Sequence, residues 1–217
     1  SISNLYINST GTLGLFGATD NSAVIMNVGV VNADITASTS EIGVLIGNMR
    51  GTVINTYTSG IINAVASAYN GGLIGIINAT GATKANISSS YSNVIVNGDG
   101  NTGNVYSGGL IGYNSYGATV VSDSYATGSV KGYRFVGGLV GFAGAITLNR
   151  TYAAGYVAHM GGGNAGGLIG NTNTGTLTVN NSFWNTETTG QSGSGTNSNG
   201  TINSGNWTAG YRGMTTA

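Results

Sequence analysis

The sequence predicts an all-β chain folded as a parallel β-solenoid (β-helix), about six coils of ~29 residues with a less regular C-terminal segment. Three observations predict it. An apolar-glycine block recurs six times along the 217 residues. A second, mostly aromatic marker follows each block in the same order. The composition is that of a chain made soluble by amides and hydroxyls instead of charge.

The block reads Leu13-Gly14-Leu15-Phe16-Gly17, then Ile42-Gly43-Val44-Leu45-Ile46-Gly47, then Gly71-Gly72-Leu73-Ile74-Gly75. It returns as Gly108-Gly109-Leu110-Ile111-Gly112, Gly137-Gly138-Leu139-Val140-Gly141 and Gly166-Gly167-Leu168-Ile169-Gly170. Its closing glycines are spaced by 30, 28, 37, 29 and 29 residues. The marker sits 10 to 16 residues beyond each block, at Val28, Tyr57, Tyr91, Tyr125, Tyr152 and Phe183. The one long spacing assigns its extra residues to loops at 78–85 and 97–104, which are rich in Gly, Asn and Thr.

Between the markers the pattern alternates, as in Tyr125 to Val130 and Thr151 to Val157, which read as short strands bounded by glycine. Thr172, Thr174, Thr176 and Thr178 keep a strict period of two, which points side chains to one sheet face. A unit holding about three such strands cannot bury its apolar face alone, but stacked on its neighbours it can. Glycine then supplies the φ > 0 positions that sharp corners need, and the Tyr markers form a stacked internal ladder. Successive coils place equivalent residues above one another. Like charges would repel in such columns, whereas Asn, Ser and Thr can hydrogen-bond from coil to coil. The absence of Pro fits coils paired on both edges. Residues 1–190 are assigned to the solenoid and 191–217 to a C-terminal cap or inter-subunit contact segment.

The composition excludes several classes. Gly contributes 40 residues, and with 27 Asn, 27 Thr and 22 Ser it makes up over half the chain, while only six Lys/Arg and six Asp/Glu are present. Six scattered cations cannot form a phosphate-binding surface, so nucleic acid is not a partner. No apolar run approaches the ~20 residues of a membrane-spanning helix. With no Cys there is neither a disulfide nor a thiolate site. The chain begins at Ser1 without Met or a signal-peptide pattern, which reads as a processed product or an excised piece.

The blocks at Gly108 and Gly137, followed by Asp123-Ser124-Tyr125-Ala126-Thr127-Gly128 and Asn149-Arg150-Thr151-Tyr152-Ala153-Ala154-Gly155, resemble the GLUG-motif family. Ser182-Phe183-Trp184-Asn185 to Gln191 is similar to the last unit of such arrays. The resemblance covers roughly residues 40–190, with a degenerate first unit before it. It implies a repetitive scaffold in secreted bacterial or archaeal surface proteins, including filamentous-haemagglutinin-like adhesins. Such repeats also accompany immunoglobulin-cleaving peptidases, outside their catalytic domain. No catalytic residue is carried across by it.

Chemistry has little to work with. His159 is the sole histidine, so neither a His-ligated zinc nor an HExxH helix can be built, and no G-x-S-x-G elbow accompanies it. The glycine triplets Gly98-Gly100-Gly103 and Gly161-Gly163-Gly166 open no helix and bind no phosphate. Among the acids, Asp34 and Asp123 could share a face if their coils register, but at about three coils or ~14 Å apart they exceed a glycosidase pair. Asp123, Lys131, Arg134 and Arg150 read as a solvated salt-bridge cluster. Asp99, in Asn97-Gly98-Asp99-Gly100, is a weak calcium candidate lacking the closing Glu. Trp184 and Trp207 are candidate sugar-stacking rings, with capping of the final coil as the alternative. Seven N-x-S/T sequons occur, at Asn8, Asn78, Asn86, Asn149, Asn180, Asn199 and Asn206.

The expected function is therefore non-enzymatic, needs no cofactor and is located outside the cell or on its surface. The chain would serve as a structural subunit or module of an extracellular fibre or adhesin. Ser1-Ile2-Ser3-Asn4-Leu5-Tyr6-Ile7 is an alternating strand with neither charge nor Pro, an unblunted solenoid edge. Ser1, Ile2, Leu5, Tyr6 and Ile7 at one end would meet Trp207 and Tyr211 at the other, giving a head-to-tail homopolymer, or would join the preceding repeats of a longer chain. The alternatives are a glycan-binding adhesin module, an ice-binding Thr face or a polysaccharide-active β-helix enzyme.

Overall fold

The computed structural model describes residues 1–38, 40–65, 68–79, 84–99, 105–115, 117–172, 176–193, 195–197, 200–201 and 211–215. Strand follows strand in parallel stacks, and the chain is a β-solenoid as the repeats require. Each coil visits four sheets, one more strand than the alternation suggested. The first sheet carries the longest strands, Gly29–Ala37, Tyr57–Ala64 and Tyr91–Gly98 in successive coils. The second stacks Ser40–Gly43, Ala68–Gly71, Tyr106–Gly108, Phe135–Gly137 and Asn164–Gly166. The third stacks Ile46–Met49, Ile74–Ile77, Ile111–Asn114, Val140–Ala143 and Ile169–Thr172. The fourth runs from Val24–Met26 through Ala85–Ser88 to Leu177–Asn180. Six turns of the coil are completed, and Ser182–Asn185 opens a seventh.

Register explains the sequence pattern. Ile46, Ile74, Ile111, Val140 and Ile169 form one inward column, and Val53, Ile87, Val121, Leu148 and Val179 another. All ten are at most 1% exposed. Each block's Leu turns the corner between the second and third sheets. The carbonyl of Leu73 accepts from the N–H groups of both Leu45 and Ile46, and Leu110, Leu139 and Leu168 repeat the arrangement one coil on.

The block glycines are used differently from expectation. The paired glycines of the block do not make the corners. A Cβ at Gly71, Gly108 or Gly137 would collide with the carbonyl oxygen of Ile74, Ile111 or Val140. A Cβ on the closing glycines Gly112, Gly141 and Gly170 would lie 2.5–2.7 Å from a backbone nitrogen of the preceding coil. The glycines thus let the second and third sheets approach backbone to backbone. The left-handed corner before the first sheet is instead made by Asn27, Asn55, Ser89, Asp123, Arg150 and Asn181, all with φ between 48° and 59°. The N–H groups of the first five donate to the last fourth-sheet residue of the next coil, as Asn55 does to Ser88 and Arg150 to Asn180.

Candidate functional site

Immediately after each corner from Asn55 onward a hydroxyl enters the interior. Thr56, Ser90, Ser124, Thr151 and Ser182 are each at most 1% exposed and stack one per coil. The Ser90 Oγ accepts from the Thr56 N–H at 3.1 Å and donates back to the Ser88 carbonyl at 2.7 Å. Ser124 and Ser182 repeat both bonds. The hydroxyl satisfies a buried amide and a buried carbonyl where the chain leaves one sheet for the next. This ladder was missed in the sequence, although Thr-Tyr, Ser-Tyr, Ser-Tyr, Thr-Tyr and Ser-Phe stand at every marker from Tyr57 onward. Amide ladders do run between coils as expected: Asn32 to Asn4, Asn55 to Asn27, Asn97 to Asn63 and Asn180 to Asn149, at 2.6–3.0 Å.

The two ends of the described solenoid differ. At the first coil the interior columns stand open. Ile2 heads the column of Val30, and Phe16 that of Ile46, yet Ile2 is 44% exposed and Phe16 39%, against 0% and 1% one coil later. Leu5, Ile7, Leu13, Leu15, Ile25 and Val28 are likewise only partly buried. Strands Ile2–Ser3 and Tyr6–Ser9 pair with Gly29–Ala37 on one side, and among the described residues nothing pairs with them on the other. Of the expected contact residues, Ile2, Leu5 and Ile7 stand at the head of inward columns, whereas Tyr6 heads the outward column of Asp34.

The other end is built differently. Trp184 continues the inward column of Ala126 and Ala153, and its indole lies against Gly167. Its ring N–H donates to the Gln191 carbonyl at 2.8 Å, and the Gln191 amide reaches the Val157 carbonyl. A one-turn helix, Thr186–Thr189, replaces the next coil's path, capped by the Asn185 side chain accepting from the Glu187 and Thr188 N–H groups. On the third sheet, Thr196–Asn197 adds a parallel strand and Gly200–Thr201 then pairs with it antiparallel. Tyr211–Met214 lies along Ser182–Asn185.

The remaining candidates are placed as follows. Trp184, at 4% exposure, offers no open face for a sugar; Trp207 lies outside the described residues. Asp34 belongs to the outward column of Tyr6, Ile61 and Ile95, whereas Asp123 occupies the corner column, so the two share no face. Asp123 and Arg150 make a bidentate pair at 2.6 and 2.7 Å, and the guanidinium holds the Asp123 carboxyl below its ordinary value. Lys131 and Arg134 stand apart from it, Arg134 lying over the Phe135 ring. Asp99 is exposed; residues 100–104 of the calcium-like loop lie outside the described residues. His159 is exposed at a strand end, its Nδ1 2.8 Å from the Gly161 carbonyl oxygen. Thr172 is buried in the third sheet while Thr178 faces outward from the fourth, so the period-two series spans two sheets and makes no flat face; Thr174 is outside the described residues.

The Tyr markers do stack, Tyr57 on Tyr91 at 5.3 Å and Tyr91 on Tyr125 at 4.9 Å. The ladder, however, lies on the outer face: Tyr125 is 38% exposed and Tyr152 37%. Period two settles this, since the hydroxyl before each Tyr already points inward. A second aromatic group unites Tyr69, Tyr106 and Phe135 of the second sheet with Tyr113 and Phe142 of the third, closing the gap beyond the glycine contact. Burial pushes the Tyr69 and Tyr106 hydroxyls up from their ordinary value.

Comparison with known proteins fits this picture. The chain is 36% identical over 201 residues to halomucin from Haloquadratum walsbyi (strain DSM 16790 / HBSQ001), the match covering 89% of the chain. It spans about 2% of that protein's length. This similarity places the chain outside the cell or on its surface. A candidate immunoglobulin A1 protease from Bacteroides ovatus shares the fold, with a TM-score of 0.52 and 17% identity over all of this chain and 66% of that one. No family model matches the sequence. No helix among the described residues is long and apolar enough to cross a membrane.

Proposed function

We propose that the chain is a non-enzymatic structural module of an extracellular fibre or adhesin-type surface protein, in which solenoid units continue one another end to end. The observation that carries this reading is the register of the stack, in which the same inward columns join each coil to the next. One feature supports it: the buried hydroxyls of Ser90, Ser124 and Ser182 accept from a backbone N–H of the preceding coil and so serve the joining of coil to coil. Its partners are then coils of its own kind, and no cofactor is needed. Immunogold labelling of intact source cells, with imaging of the released surface material, tests it: labelled rods outside the cell are expected. A compact labelled particle that degrades a polysaccharide would contradict it.

A second reading, glycan contact, is favoured by the outer face of the first sheet. There the stacked tyrosines run beside amide columns and a shallow depression of about 520 Å³ lined by Asn4, Tyr6, Asp34, Gly60 and Ile61. Aromatic rings beside amides suit the apolar faces and hydroxyls of sugars. Glycan-array binding that is lost on Tyr125→Ala would favour this reading over the passive scaffold.

A further inference from the structure

We infer that the depression on the outer face of the first sheet is a binding groove for a neutral, linear oligosaccharide, with the Asp34 carboxylate and the side-chain amides of Asn4 and Asn32 as its polar contacts. The inference rests on the glycan-contact reading above; it adds the place on that face and the class of sugar.

The groove is made by an extra residue in the strand. Between Val30 and Ala33 the register of Gly29–Ala37 against Tyr57–Ala64 shifts, so Val31 and Asn32 together stand opposite Ser59. Asn32 takes a left-handed conformation at φ 54°, and Asn4 does the same one coil earlier at φ 59°. Such a bulge bends the strand and re-aims the side chains beside it. The third coil carries Gly60 next to the bulge, with φ 133° and the Ala33 carbonyl oxygen in the place of a Cβ. The floor is therefore low where the preceding coil bulges, and a depression of about 520 Å³ results. Tyr6, Asp34, Ile61 and Ile95 cross it as one outward column over four coils, so it opens across the stack and not along it. Three steps of ~4.8 Å make it about 14 Å long, which takes about three pyranose rings. Its volume lies in the range of about 300–1,000 Å³ that holds small ligands.

Its polar groups are fixed in place and left available. The Asn32 side chain donates from Nδ2 to the Asn4 Oδ1 at 2.6 Å, which leaves the Asn32 Oδ1 to accept and the Asn4 Nδ2 to donate. The Asn32 N–H is held by the Ser59 hydroxyl. Asp34 donates its own N–H to the Leu5 carbonyl, while its exposed carboxylate makes neither a hydrogen bond nor an ion pair among the described residues. A hydroxyl both donates and accepts, so neighbouring sugar hydroxyls match an acceptor-only carboxylate beside an amide donor. The apolar part is Tyr6, 67% exposed, with Ile95 at 44%. In the ladder nearby, Tyr57, Tyr91 and Tyr125 lie 0–10° from parallel and cover one another's faces. Tyr6 stacks on no ring among the described residues, so a sugar's C–H face can lie on it. No Lys or Arg lines the groove. A uronate or sulfate there would set like charge beside Asp34 with no cation to offset it. A calcium ion would find a single carboxylate. The chemistry selects a neutral sugar.

The test is titration of isotope-labelled protein with cellotriose, maltotriose, laminaritriose and chitotriose, followed by amide NMR shifts, with trigalacturonate as the anionic probe. At least one neutral sugar should move the amides of Asn4, Asn32, Asp34 and Ile61, and trigalacturonate should move none of them. Asp34→Ala should weaken that binding by about tenfold or more. Asn32→Gly keeps the left-handed conformation and should weaken it as well. Asp34→Lys should admit trigalacturonate. Both positions are exposed, so each variant should keep the melting temperature of the parent. Shifts confined to Tyr91 and Tyr125 would overturn the groove while leaving glycan contact standing. Glycan-array binding that survives both Asp34→Ala and Asn32→Gly would do the same. Binding of trigalacturonate by the parent as tight as that of the neutral sugars would overturn the assignment of sugar class. An array on which the parent binds nothing would remove the glycan-contact reading together with the groove.

Discussion

At the scale of single residues, the fold depends on what is missing or small. Gly137 has no room for a methyl group, because the backbone of Val140 occupies the place of its Cβ. Gly137→Ala should therefore destabilise the protein by about 1–3 kcal/mol through overpacking, read as a lower urea midpoint with unchanged slope. Ser124 gives the same order of effect for a different reason. Its hydroxyl accepts from the buried Ser90 N–H and donates to the part-buried Ser122 carbonyl, so Ser124→Ala should cost about 1–3 kcal/mol. By contrast, Asp123→Asn should leave the melting temperature unchanged, since the Asp123–Arg150 pair is exposed to solvent. This contrast shows where sequence reading succeeded. The amide-for-charge economy and the coil-to-coil Asn contacts follow from composition. The glycines were misread because φ > 0 and absence of a Cβ leave the same letter in the sequence, and only the neighbouring coil shows which one applies. Nothing in Arg150 or Asp123 as residue types announces a left-handed corner; only their alignment with Asn27 and Asn55 does.

At the scale of elements, the four sheets assign distinct tasks to each side of the coil. The second and third sheets close on glycine and seal with Tyr69, Tyr106, Tyr113, Phe135 and Phe142. Folding favours the neutral form of Tyr69 and Tyr106, so their contribution is fully present below the ordinary value of about 10. It is lost as pH rises from there through the raised values. Spectrophotometric titration should show these phenols ionising after the exposed ones, with unfolding following on the alkaline side. A single ordinary titration step with the fold intact would count against the sealed cluster. The C-terminal end makes its own prediction. Trp184→Ala removes a buried indole and the ring N–H bond to Gln191, so about 3–5 kcal/mol should be lost. Proteolysis should then begin beyond residue 185. Of the two loops expected at 78–85 and 97–104, residues 80–83 and 100–104 lie outside the described residues, and Ala85, Asn97 and Gly98 belong to strands. Six coils were readable from spacing alone. The fourth strand per coil was not, because a three-residue strand such as Thr52–Ile54 is too short to show alternation. The outward Tyr ladder was misplaced for want of the hydroxyl column beside it.

At the scale of the whole molecule, each coil bonds only to its neighbours, so stability is close to a sum of coil and junction contributions. Interior coils have two junctions and the first coil has one. The candidate site is consequently the edge of a coil, where apolar columns and strand edges lie open. The open edge was readable from the alternation of Ser1 to Ile7. The other end was not, because Trp184 as a letter serves equally as a sugar platform and as a plug. Native-state hydrogen exchange resolved by residue tests this account most directly. It predicts that Tyr6–Ser9, Phe16–Ala18 and Val24–Met26 exchange fastest among the stacked strands, that protection climbs through the coils holding Ile74, Ile111 and Val140, and that it stays high at Ser182–Asn185, which Tyr152–Ala153 and Tyr211–Met214 flank on both sides. Equal protection in the first and middle coils, or a C-terminal coil as labile as the first, would contradict it.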